Sequence, residues 1–138
     1  MTPRPHAIVL DAHALTGLAE ESKELLAWAV WAKRSDSSFY VSTLTLAETT
    51  DGSARDARIR REVKMVNVVP VTEQIGYAAG RLRARAAKVR KKPRDLTVDA
   101  VVAATAMSLC PPVVVLTCDK PDLDLLLDDT GVTVEAIG

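Results

Sequence analysis

The chain has 138 residues, the size of one domain that can bury a hydrophobic core without disulfides or a structural metal, so we expect residues 1–138 to form a single domain. Hydrophobic residues make up 48% of the sequence and aromatic residues only 4%, which favours an aliphatic core beneath helices over an aromatic-rich binding surface. The formal net charge is zero, which taken alone argues against a general nucleic-acid-binding protein.

The sequence carries no sign of export or of membrane insertion. Its first six residues lack the apolar region of a secretory signal, and no apolar stretch approaches the ~18 residues that a membrane span needs. Cys110 and Cys118 have no nearby histidine or second cysteine pair, so we expect two small buried thiols rather than a zinc site or a disulfide framework. We therefore expect a cytoplasmic protein that does not contact a membrane.

The first half of the chain alternates short apolar strands with helical patterns. Residues 7–10 form a buried strand, and residues 14–34 carry apolar residues at helical spacing with acids first and bases last, which suits the helix dipole. Residues 39–41 form a second strand that stops at Ser42-Thr43, which can cap a helix beginning at Leu44. A further helix and a third strand follow at 53–65 and 66–71.

The second half continues this alternation. Residues 73–92 form a long helix in which Gly76 and Gly80 share one face, so another element can approach closely there. Residues 96–109 form an almost wholly apolar helix that Asp99 interrupts in its first turn. Strand four is 113–117, a short helix presents Leu123, Leu126 and Leu127, and strand five is 132–134. This order predicts an α/β fold with a central, mostly parallel sheet of about five strands.

Four acidic residues occupy equivalent places in this pattern. Asp11 and Asp119 follow strands one and four, Asp99 lies in the first turn of the buried helix, and Glu48 lies in the helix after strand two. The carboxyl ends of parallel strands meet at one edge of a sheet. Two like charges 4 Å apart cost roughly 4 kcal/mol at an effective dielectric near 20, so such a cluster is partly protonated or holds a divalent cation. Oxygen ligands favour magnesium or manganese.

Each acid also has a purely structural interpretation. Asp11 can be a turn residue at a strand end, Glu48 an exposed helix residue, and Asp119 a helix cap before Pro121. Asp99 fits such a role least well, because the apolar run after it heads inward, where an unpaired charge is costly.

Four segments resemble those of the PIN-domain ribonucleases, and especially of the VapC toxins of bacterial toxin–antitoxin pairs. They are IVLDAHAL at 8–15, STLTLAE at 42–48, DAVVAATA at 99–106 and VLTCD at 115–119. The Asp-Ala-x-x-Ala-Ala-x-Ala helix followed by a strand ending in Thr-x-Asp is the most specific part. The resemblance covers essentially the whole chain and implies a PIN-like α/β/α sandwich.

The resemblance implies a metal-dependent endoribonuclease. Its Mg²⁺ or Mn²⁺ would be held by Asp11 and Asp99, with Glu48 and Asp119 completing the acidic pocket. Thr117 matches a hydroxyl position beside the last acid and would bond a ligand carboxylate or the bound water. A carboxylate-held magnesium lowers the pKa of bound water and neutralises charge on the phosphate, so no Ser, Cys or His nucleophile is required.

The same resemblance implies partners and products. The products would carry a 5′ phosphate and a 3′ hydroxyl, an antitoxin would insert a basic side chain into the pocket, and the toxin would be a homodimer. One position departs from the family, because His13 stands where Ser or Thr is usual, and it either replaces that polar contact or is an ordinary half-buried histidine.

A basic segment lies between Gln74 and Arg94, where no acid occurs. Its basic residues would present a surface to an RNA backbone, and the competing interpretation is a solvated helix face. The candidate RNA-binding residues are Arg81, Arg85, Lys88, Arg90, Lys91 and Lys92. Trp28 and Trp31 are three residues apart on the first helical segment, and we expect them in the core rather than at an interface.

Two other functions remain open at this stage. A non-catalytic PIN-like RNA-binding or scaffold protein would keep the fold but lose acids, and all four acids are present. A different magnesium-dependent phosphoryl-transfer enzyme fits less well. A phosphatase of the haloacid dehalogenase type needs Asp-x-Asp after strand one, but the third position here is His13. A receiver domain needs an acidic pair before its phosphoacceptor Asp and a lysine after a later strand, and Lys120 alone is a poor substitute.

Overall fold

A computed structural model describes residues 4–89 and 95–138 of the chain. The strands are β1 (Ala7–Leu10), β2 (Ser38–Ser42), β3 (Asn67–Val69), β4 (Val113–Thr117) and β5 (Thr133–Ala136). The helices of the described ranges are α1 (Ala12–Ala19), α2 (Lys23–Arg34), α3 (Thr43–Thr49), α4 (Asp56–Val63), α5 (Glu73–Val89), α6 (Thr97–Met107) and α7 (Lys120–Leu126). None of these helices is long and apolar enough to cross a membrane.

The strands form one sheet in the order β3-β2-β1-β4-β5, and every neighbouring pair is parallel. The central strand β1 pairs on both sides, with Ala7 opposite Ser38 of β2 and Val113 of β4. The predicted α/β fold with a parallel sheet is therefore confirmed. Because all strands point the same way, their carboxyl ends lie at one edge, where the loops after β1 and β4 meet.

Helices cover both faces of the sheet, as alternation along the strands requires. Val9 of β1 and Val115 of β4 face a core built with α5, α6 and α7, whereas Ile8, Leu10 and Leu116 face a second core built with α1, α2 and α4. All five side chains are fully buried. Burying one such aliphatic side chain contributes about 1.5–3 kcal/mol, so the two cores hold the strands rigidly in place.

The predicted helix at 14–34 is two helices in the structure. It is interrupted after α1 at Glu21, which adopts a left-handed conformation with φ of 58°. Ser22 then caps α2, its hydroxyl oxygen accepting a hydrogen bond from the N–H of Leu25 at 3.2 Å. The apolar spacing continues across the break, and for this reason the sequence pattern predicted one helix.

The prediction of a close approach at Gly76 and Gly80 is wrong. A Cβ atom placed on either glycine would meet no other atom of the described chain within 4 Å. The buried side of α5 is formed instead by Ile75, Ala79, Leu82 and Ala86. The described part of α5 ends at Val89, and the predicted extension to residue 92 lies outside the described residues.

Candidate active site

The four predicted acids line one cleft at the carboxyl edge of the sheet. Asp11 follows β1, Asp119 follows β4, Asp99 is the third residue of α6, and Glu48 lies near the end of α3. The cleft has a volume of about 330 Å³. The other residues along it are Ala12, His13, Thr16, Thr49, Val102 and Cys118. Elements far apart in the sequence thus bring four carboxylates to one place.

Asp11 is the most tightly held of the four, with only 8% of its surface exposed. Its Oδ1 accepts a hydrogen bond from the N–H of Ala14 at 2.8 Å, which caps the start of α1. Its Oδ2 accepts one from the N–H of Cys118 at 3.1 Å, just beyond β4. Asp11 therefore fixes the start of α1 to the end of β4.

Asp119 does not serve as the side-chain cap that its position before Pro121 suggests. It occupies the N-cap position of α7, but its side chain makes no capping hydrogen bond. The backbone N–H of Asp119 donates to Oγ1 of Thr117 at 2.9 Å. Thr117 is fully buried and is not a residue of the cleft lining, so it supports the backbone beneath the acid.

Glu48 lies at the rim of the cleft and is exposed to solvent. Partial burial, followed by the negative charge of Asp11, raises the pKa of its carboxyl above the ordinary value of 4.5. Asp99 is half-buried, one turn of α6 before Val102, which lines the same cleft. The negative charge of Asp11 opposes the ionisation of Glu48, as a like charge in a shared cleft does.

The thiol of Cys118 lies close enough to three of the acids for their charges to raise its pKa. Its pKa is raised above the ordinary value of 9.0 by burial first and then by the negative charges of Asp11, Asp119 and Asp99. Three carboxylates thus act on one thiol. The residue itself is exposed, as is Cys110, so the prediction of two buried thiols is wrong. Strand four ends one residue before Cys118, which places it in the cleft rather than in the core.

The chemistry of this donor set suits a hard divalent cation. All four acids offer carboxylate oxygens, the ligands that magnesium and manganese prefer, and a cation between them would offset their mutual repulsion. In the part of the chain that the structure describes, no three acidic, histidine or cysteine side chains are placed closely enough to hold a metal ion as they stand.

A second groove continues from the cleft between α1 and α4. It has a volume of about 730 Å³ and shares Thr16, Glu48 and Thr49 with the cleft. One wall is the loop of residues 50–55, on which Arg55 stands. The buried carboxylate of Asp56 holds this loop: it accepts hydrogen bonds from the N–H of Gly52 at 2.8 Å and of Asp51 at 3.2 Å. Sequence reasoning missed this groove and its anchor.

The predicted basic surface lies partly on α5. Arg81, Arg85 and Lys88 are exposed there, and none of them lines the cleft or the groove beside it. The guanidinium of Arg85 donates to the carbonyl oxygens of Leu126 and Asp128, each at 3.0 Å, at the end of α7. The other candidates, Arg90, Lys91 and Lys92, lie outside the described residues.

Several solved VapBC structures share this fold. A chain of VapBC2 from Rickettsia felis, bound to a DNA fragment from their promoter, has a TM-score of 0.73 and 9% identity over 96% of this chain and 99% of that chain. VapBC-1 from nontypeable Haemophilus influenzae has a TM-score of 0.68 and 21% identity, over 94% of this chain and 97% of that chain. VapBC-5 from Mycobacterium tuberculosis has a TM-score of 0.59 and 25% identity, over 96% of this chain and 98% of that chain.

Comparison with curated proteins finds no match to this sequence. A family model does match: the PIN domain model aligns with residues 8–121, which include all four acids and the four segments of the chain that line the cleft. The match covers well over half of the chain, and the sheet order and helix layers fit an α/β/α sandwich. The chain therefore belongs to the PIN domain family.

Proposed function

We propose that the protein is a metal-dependent endoribonuclease and the toxin of a VapBC-type toxin–antitoxin pair. The observation that carries the proposal is the convergence of Asp11, Glu48, Asp99 and Asp119 on one cleft, where three of these carboxylates act on the Cys118 thiol. Membership of the PIN family and the similarity to VapBC complexes support the nuclease and toxin assignments. We treat residues 1–138 as one PIN domain that acts in the cytoplasm.

In this proposal Asp11 and Asp99 are the main ligands of Mg²⁺ or Mn²⁺, and Glu48 and Asp119 complete the site. The bound ion would lower the pKa of a water molecule and neutralise charge on the scissile phosphate. Asp11 contributes a carboxylate whose direction is fixed by the N–H groups of Ala14 and Cys118. Glu48, with its raised pKa, is the acid of the set best suited to exchange a proton at the cleft rim.

Thr117 has a supporting role in the proposal. Because its buried hydroxyl accepts the N–H of Asp119, it fixes the backbone from which that carboxylate projects. Arg81, Lys88 and the predicted bases at 90–92 remain our candidates for contacts with the RNA backbone outside the cleft. The partners we propose are an RNA substrate, a cognate antitoxin and a second copy of the chain. The toxin–antitoxin complexes that share the fold support the antitoxin.

Cleavage of structured RNA by the purified protein tests the nuclease assignment. We expect cleavage with Mg²⁺ or Mn²⁺, none with a chelator, and a loss of about a hundredfold or more in Asp99→Asn. Glu73→Gln is the matched control, since Glu73 is an exposed acid at the start of α5 and outside the cleft. Circular dichroism would confirm that each variant folds. Chelator-resistant cleavage, or full activity of Asp99→Asn, would contradict the proposal.

Expression of the chain in a bacterial host tests the toxin assignment separately. Growth should stop when the parent chain is produced, and it should continue when Asp99→Asn is produced at the same level. Arrest by both chains would mean that toxicity does not arise from the acidic cleft.

A further inference from the structure

A groove lined by both tryptophans lies on the other side of α2 from α1. It has a volume of about 490 Å³ and runs between α2 and the β4–β5 half of the sheet. We call it the tryptophan groove; its main lining residues are His6, Glu24, Trp28, Trp31, Val114 and Glu135. The prediction that the tryptophans belong to the core is confirmed in part, because both pack against the core that contains Ile8 and Leu10 but are only half-buried.

The aromatic rings form a continuous wall. Trp28 and Trp31 meet edge to face, with ring centroids 5.5 Å apart and an interplanar angle of 81°. Trp31 in turn meets the His6 ring at 5.2 Å and 62°. This arrangement fixes the indoles while leaving part of their surface open to the groove, where it can contact a guest.

The groove carries two negatively charged side chains. Glu24 from α2 and Glu135 from β5 both line it, and no lysine or arginine is among the lining residues that the structure describes. One oxygen of Glu24 accepts the N–H of Gly138 at 2.8 Å, which holds this carboxylate in place. Indole surface flanked by carboxylates is the environment that suits an organic cation.

The apolar surface continues outside the groove along α2. Leu26 and Val30 are 44% and 52% exposed, and Ala27 between them lines the groove itself. Exposed apolar side chains beside a groove mark sites for macromolecular partners. The guest is thus better described as a protein segment than as a small molecule.

We propose that the tryptophan groove binds a segment of a partner protein that carries an arginine or lysine side chain between apolar residues. The cation stacks against the indoles and pairs with Glu24 and Glu135, while the flanking apolar residues cover the exposed surface of α2. Guanidinium groups stack on aromatic faces especially well, so arginine is the stronger guest. The groove shares no lining residue with the acidic cleft, so the proposal does not depend on catalysis.

The chain has only two tryptophans, and both lie in this groove, so their signals report its occupancy directly. The probe is a capped pentapeptide with a central arginine flanked by leucine and valine, compared with the same peptide carrying citrulline, which is neutral. Titration of the full chain should shift both indole N–H resonances saturably and change tryptophan fluorescence. The citrulline peptide should bind about tenfold more weakly, the effect of losing one cation–π contact.

The double variant Glu24→Gln and Glu135→Gln should lower the affinity for the arginine peptide by about tenfold, whereas Glu73→Gln should leave it unchanged. Equal binding of the arginine and citrulline peptides would overturn the proposal, as would unshifted indole resonances. So would a homodimer in sedimentation that Trp28→Ala dissociates, because a second copy would then be the occupant. The titration needs neither RNA nor metal, so its result is separate from that of the nuclease assays.

Discussion

At the scale of single residues, the cleft combines acids that are held differently. Asp11 accepts two backbone hydrogen bonds that fix the direction of its carboxylate, whereas burial and the negative charge of Asp11 raise the pKa of Glu48. Glu48 therefore takes up a proton more readily than an ordinary glutamate.

Glu48 should make the folded protein less stable as the pH rises. Its pKa is above 4.5 in the folded chain, so the folded state binds more protons between 4.5 and the raised value, and the free energy of unfolding falls across that window. Glu48→Gln should flatten this fall and be at least as stable as the parent at pH 7. Urea unfolding between pH 4.5 and 7 measures it, with Glu73→Gln as control; an unchanged slope would count against the prediction.

Cys118 should alkylate at lower pH when a neighbouring acid is neutralised. In a Cys110→Ser background, with chelator present, Asp119→Asn removes one of the charges that raise the pKa of the Cys118 thiol. The thiolate then forms at lower pH, so alkylation by iodoacetamide should be faster at any fixed pH below 9. Mass spectrometry follows the reaction. Identical pH profiles in the two chains would show that Asp119 lies too far from the thiol.

At the scale of elements, local patterns predicted each strand to within a few residues, and β1 and β4 at the same bounds as in the structure. Alternation and apolar runs carry this information locally. The break between α1 and α2 had no such signal, since Glu21 adopts φ of 58° without being glycine or asparagine. The groove beside the cleft could not be predicted either, because it depends on the tertiary hydrogen bonds of Asp56.

Arg85 should matter to the stability of α7. Its guanidinium bonds to the carbonyl oxygens of Leu126 and Asp128, where the helix dipole favours a cation. Arg85→Ala should therefore lower the free energy of unfolding by about 1 kcal/mol. This value already allows for the partial exposure of the contact to solvent. Arg81→Ala on the same helix should change it by less than about 0.5 kcal/mol. Urea unfolding compares them, and equal losses would contradict a specific role of Arg85.

At the scale of the whole molecule, the parallel sheet decides where the acids meet. The pattern of strands and helices predicted that the four acids share one edge, and the cleft contains all of them. The topology of the fold was enough for this, because every strand ends at the same side. The spacing of the acids depends on side-chain contacts such as those of Asp11, which the linear pattern does not reveal.

A divalent cation should stabilise the whole fold. An ion that binds only the folded state at about a hundred times its Kd adds roughly 2.7 kcal/mol to the free energy of unfolding. Mn²⁺ should thus raise the Tm of the parent chain in a concentration-dependent way, and the increase should be much smaller in Asp11→Asn. Glu73→Gln should respond like the parent. If Asp11→Asn gained as much as the parent, the ion would be bound elsewhere.

The loop of residues 50–55 gives the groove beside the cleft an adjustable wall. From Asp51 to Arg55 every residue is exposed, so this stretch is held by a few hydrogen bonds to Asp56 and within the loop and by no buried apolar side chain. Segments of this kind open locally at a small fraction of the global free energy of unfolding. The width of the groove can therefore change while the sheet edge with its acids stays fixed, so the proposed nuclease centre has one rigid side and one adjustable side.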